Sequence, residues 1–133
     1  MATPKIVPRA QGGGSLGDTD YGWGGGYITS TATSSATAGG RLEIGCNDGA
    51  VMADNHRLGG IFFKGAEDTN GTLRTGAKIQ AICDANWSAT ENGASLEFYT
   101  TDGDASQSVV LTLDSNKLAA FTGAITGAST IDA

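Results

Sequence analysis

The sequence predicts an all-β fold of short antiparallel strands, arranged as a β-sandwich or an interlocked trimeric β-structure, with an extended glycine-rich N-terminal segment. Three observations predict it. From residue 41 onward apolar residues recur with period two in runs of about six, the runs are separated by Asn-Gly and Asp-Gly turn signals, and no window sustains the i, i+3, i+4, i+7 stripe of a core helix.

Residues 1–40 form the extended segment, with Gly12 to Gly14, Gly24 to Gly26 and then a run of Thr, Ser and Ala ending at Gly39-Gly40. Such a stretch favours a winding backbone over helix. Among its first 26 positions the large apolar residues apart from Tyr21, namely Ile6, Val7, Leu16 and Trp23, lie where no local core can form, so they are expected to pack on another chain. Residues 41–122 form the β-rich module. Leu42, Ile44 and Cys46 alternate and are followed by the turn Asn47-Asp48-Gly49; Ile61 to Phe63 make the next apolar run, before Asn70-Gly71. Ala77, Ile79, Ala81 and Cys83 then alternate, Asn92-Gly93 precedes Leu96, Phe98 and Thr100, and Asp102-Gly103 precedes Val109, Leu111 and Leu113. Residues 123–133 are read as a C-terminal extension.

The side chains that fill cores are scarce: 4 Val, 8 Ile, 8 Leu and 4 Phe in 133 residues. That is about 18%, near the level at which globular folding fails. Charged residues make up only 17% of the chain and the net charge is −6, which argues against disorder. Half of the chain is Gly, Ala, Thr or Ser, so one copy buries little apolar area against its backbone entropy. A core shared between identical chains resolves the deficit, and a homotrimer is expected, with Ile61, Phe63 and Ile79 among its interface residues.

The acidic balance, with a sequence pI of about 4.4, excludes nucleic acid as a partner, because phosphate binding needs clustered Lys and Arg. No apolar run has the length of a membrane span or of a signal-peptide core, so no membrane insertion is expected. Cys46 and Cys83 match no metal-ligand or redox spacing and read as two small buried hydrophobes.

Patterns that invite chemistry have plainer readings. Gly12 to Gly17 lacks the Gly-Lys-Ser/Thr ending of a phosphate loop. His56 is the only histidine and no serine-hydrolase signature accompanies it; it reads as a turn residue before a strand. Glu67-Asp68 and Asp102-Gly103-Asp104 do not fit a twelve-residue calcium loop and read as solvated turns. The sequons at Asn70 and Asn86 lack a secretory signal, and Trp23 and Trp87 read as packing anchors. No catalytic residue, metal ligand or cofactor is assigned.

Pro4-Lys5-Ile6-Val7-Pro8-Arg9, the glycines before Ser15-Leu16-Gly17, and then Trp23-Gly24 and Tyr27 resemble the N-terminal opening of phage tail-fibre proteins. His56 to Gly59 with Ile61 and Phe63, Thr75 to Ala77 with Ile79, Leu96 to Thr101, and Leu111 to Ser115 resemble the β-rich module of such fibres. The motifs are short and glycine-rich, and their order and spacing carry the likeness over most of the chain. The resemblance implies a trimeric, non-enzymatic tailed-bacteriophage virion protein made in the host bacterial cytoplasm. Ile6, Val7, Pro8, Arg9, Leu16 and Trp23 would engage the particle at tail, neck or capsid. Such fibres run on much further, whereas this sequence stops at Ala133; it is expected to be either a short protein using the module alone or an N-terminal piece. The first case admits a trimeric capsid decoration protein, either a cement or a head fibre. A host-glycan-binding module resting on Trp87, and more remotely a tailspike-like glycosidase, are the readings from other classes.

Overall fold

A computed structural model describes residues 25–124. The chain divides into two units, Met1–Leu42 and Glu43–Ala133. The described part of the first unit contains no strand or helix; its order is local, with the Ser35 hydroxyl accepting from the N–H groups of Thr37 and Ala38 at 3.3 and 3.1 Å. Ile6, Val7, Pro8, Arg9, Leu16 and Trp23 lie outside the described residues, as does most of the expected C-terminal extension.

The second unit is one antiparallel sheet of five strands in sequence order: β1 (Arg57–Ala66), β2 (Leu73–Cys83), β3 (Ala94–Thr101), β4 (Gln107–Leu113) and β5 (Ala119–Phe121). The chain is therefore all-β among its described residues, and no second sheet packs on the first to make a sandwich. The alternation of Leu42, Ile44 and Cys46 does not become a strand, and Cys46 is exposed. Alternation alone does not make a strand; backbone pairing with a neighbour does.

Three loops share one device. Asp68, Asp102 and Asp114 each stand three residues before a residue at positive φ: Gly71 at 80°, Ala105 at 68° and Lys117 at 66°. In each loop the N–H of that residue donates to the aspartate's backbone oxygen, at 3.3, 3.2 and 3.0 Å respectively. The aspartate side chain takes the N–H groups left over: Asp68 Oδ1 accepts from Asn70 and Thr72, Asp102 Oδ1 from Asp104 and Ser106, and Asp114 Oδ1 from Leu118. Short carboxylates that bridge to the backbone two and four residues on are what fix such turns.

Register then decides which side chains share a face. Ile61 pairs with Ile79, Ile79 with Phe98, Phe98 with Leu111, and Leu111 with Phe121, so one apolar row crosses all five strands. Beside it run Gly59, Ala81, Leu96, Leu113 and Ala119. Cross-strand pairs of this kind contribute about 0.2–1 kcal/mol each. An irregularity between Phe98 and Tyr99 leaves Val110 without a partner on β3, because Phe98 opposes Leu111 while Tyr99 opposes Val109; its carbonyl accepts instead from the Thr122 N–H at 3.2 Å. A bulge of this sort bends the strand and re-aims its side chains.

Candidate interaction surface

The two faces of the sheet differ in chemistry. On the face of the row, the positions from Gly59, Ile61 and Phe63 through Ala77, Ile79, Ala81, Leu96, Phe98, Leu111 and Leu113 to Phe121 carry no charge. Yet Cys83 is the one buried apolar residue among those described, and Gln80 the one buried polar residue. Ile61 is 45% exposed, Phe63 54% and Phe121 54%. These side chains leave apolar surface open on one face, the kind of feature that marks an interaction site. Of the expected interface residues, the sheet brings Ile61, Phe63 and Ile79 onto this face; Ile79 is half-buried between Ile61 and Phe98.

The opposite face carries a polar network, with Phe62 41% exposed beside it. Gln80 Nε2 donates to Glu97 Oε2 at 2.9 Å and to the Tyr99 hydroxyl at 3.3 Å, and that hydroxyl donates to Glu97 Oε2 at 2.8 Å. Lys78 Nζ sits 3.9 Å from the Tyr99 ring centroid and the Arg57 guanidinium 5.3 Å from that of Phe62. Burial first, then the hydrogen bond and the charge of Glu97, push the Tyr99 phenol above its ordinary range, opposed by the Gln80 hydrogen bond. Both aromatic rings here, Phe62 and Tyr99, lie against a cation.

A shallow apolar hollow of about 480 Å³ opens at the β4–β5 side, lined by Phe98, Val110, Leu111, Phe121, Gly123 and Ala124. Sequence reading found neither it nor β5, because Ala119–Phe121 is too short to announce itself and the bulge at Val110 follows from pairing. Ile44 covers the other end of the same face, over Gly59.

The groups that could carry chemistry are engaged elsewhere or dispersed. His56 is exposed, and its N–H closes the turn into β1 on Ala53 O at 3.0 Å. Trp87 is half-buried; its Nε1–H donates to Gly93 O at 3.0 Å and its backbone N–H to Met52 O at 2.8 Å, so its indole anchors a loop. Asp68 is held below the usual carboxylate range by the Thr72 N–H and hydroxyl, and Asp104 by hydrogen bonds with Asp102 and Ser106. Burial pushes the Cys83 thiol up, away from the thiolate that nucleophilic or metal chemistry needs. Among the described residues no group of three or more His, Cys, Asp or Glu gathers as for a metal ion, and no helix is long and apolar enough to cross a membrane.

No protein-family model matches the chain, and no curated protein matches its sequence.

Proposed function

We propose that this chain is a non-enzymatic structural protein of a tailed-bacteriophage particle, a tail-fibre or fibre-attachment component that works as a homotrimer. The observation that carries the proposal is the uncharged apolar row from Ile61 to Phe121, which spans all five strands and which the sheet leaves uncovered. A chain so poor in large apolar side chains gains stability by burying that row between copies, and a particle component needs a rigid assembly and no reacting group. The order of the N-terminal and β-module motifs supports the virion assignment. The engagement of Trp87 within its own loop disfavours a glycan platform at that residue.

Light scattering on the purified chain should give about three times its 13.4 kDa mass. Ile79→Asp, which puts an unpaired carboxylate in the middle of the row, should abolish assembly. A stable monomer at micromolar concentration would overturn the trimer. Reconstruction of the intact particle tests the location: density at the tail or neck is the expected result, and density on the head shell would transfer the chain to capsid decoration.

A further inference from the structure

We propose that Asn70, in the loop between β1 and β2, is a site of spontaneous deamidation, a modification that the fold allows there and withholds from Asn92. The inference is independent of the assembly proposed above. Asn-Gly occurs twice in the chain, at Asn70-Gly71 and Asn92-Gly93. Glycine puts no side chain beside its own amide nitrogen, so that nitrogen can reach the side-chain carbon of the preceding asparagine. The Gly71 nitrogen attacks Asn70 Cγ as its proton passes to water; the N–Cγ bond forms, the Cγ–Nδ2 bond breaks and ammonia leaves, giving a five-membered succinimide. Water then opens the ring at either carbonyl, to aspartate or to isoaspartate. The sum is amide plus water to carboxylic acid plus ammonia, with nothing oxidised or reduced.

The two steps differ in what holds them. Asn70 and Gly71 are exposed, nothing lies within 4 Å of where a side chain at Gly71 would begin, and among the described residues the Asn70 side-chain amide has no hydrogen-bond partner. The Gly71 N–H donates to Asp68 O at 3.3 Å, a long bond to a neutral acceptor. At the other step the Gly93 N–H donates to Glu91 Oε1 at 2.7 Å, and Asn92 Nδ2 donates to Ser88 O at 3.1 Å. Gly93 is half-buried, its carbonyl accepts from Trp87 Nε1 at 3.0 Å, and the Asp84 and Glu91 carboxylates crowd its Cα. Attack at Asn92 must therefore first break a charge-assisted bond to the nitrogen that reacts. The product matters at Asn70, because Asp68 Oδ1 accepts from the N–H groups of Asn70 and Thr72, and the Glu67 N–H closes the loop on Thr72 O at 2.9 Å. Isoaspartate adds a methylene carbon to the backbone between these bonds, and either product sets a carboxylate near that of Asp68. Deamidation thus loosens the loop and adds one negative charge.

The test incubates the purified full chain at neutral and mildly alkaline pH and follows each asparagine by peptide-resolved mass spectrometry, with isoaspartate labelled by an isoaspartyl methyltransferase. Asn70 should convert at least about tenfold faster than Asn92, the ratio set by the extra bond to a charged acceptor. Conversion should quicken with pH, since the Gly71 nitrogen reacts only as it loses its proton. In urea the two rates should converge, and Glu91→Ala should raise the Asn92 rate severalfold while leaving Asn70 as it was. Equal rates in the folded chain, or a ratio that persists in urea, would overturn the proposal. Hydrogen exchange at the Glu67 and Thr72 N–H groups should quicken as Asn70 converts; unchanged exchange there would overturn the effect on the loop.

Discussion

Ile44 lies so close over Gly59 that a Cβ on the glycine would stand 2.5 Å from Ile44 Cγ2 and 3.1 Å from Ile44 O. Gly59 is thus the point where the chain preceding β1 crosses the apolar face, and the missing side chain is what lets it pass. Gly59→Ala should destabilise the module by roughly 1–3 kcal/mol through overpacking, measured by chemical denaturation. Adding Ile44→Ala should recover only part, since the backbone oxygen stays in the way.

Ala105 and Lys117 occupy the left-handed region that glycine occupies at the equivalent Gly71. Relief of the Cβ penalty exceeds the entropy that glycine adds to the unfolded chain, so Ala105→Gly and Lys117→Gly should each stabilise by up to about 1 kcal/mol. Gly71→Ala should do the reverse by a similar amount. Thermal unfolding of the three variants checks the sign at each loop.

Asp68 and Asp104 both have carboxyls lowered by hydrogen bonds in the fold. The unfolded chain therefore takes up these protons first. Their contribution is complete above the ordinary aspartate value and is lost as pH falls through the lower folded values, a window below about pH 4. Asp68→Asn should flatten the acid limb of a stability-against-pH curve; an unchanged limb would remove this loop from the account.

Tyr99 behaves oppositely, since its phenol is raised in the fold. The neutral form is favoured there, so its contribution is present below the ordinary tyrosine value and is lost as pH rises through the folded one, above about pH 10. Tyr99→Phe should cost about 0.5–1.5 kcal/mol at neutral pH by removing the hydroxyl from Glu97 and Gln80. It should also flatten the alkaline limb, which ultraviolet titration of the phenol can follow in parallel.

By itself the sequence determined the class and most of the strands. The alternation at Ala77 to Cys83, Leu96 to Thr100 and Val109 to Leu113 fixes period two because successive side chains of a strand point to opposite faces, and β2, β3 and β4 contain those residues. Asp102-Gly103 was legible as a turn, but the residue that takes the left-handed conformation is Ala105, because the aspartate side chain sets the loop's length. Only the tertiary structure decided what depends on partners. Leu42 to Cys46 has the alternation of a strand and is not one, whereas Ala119–Phe121 has almost no pattern and becomes β5 because β4 offers an edge. The row from Ile61 to Phe121 and the hollow beside Val110 likewise come from register and one bulge, and register is a property of pairs of strands that no single strand encodes.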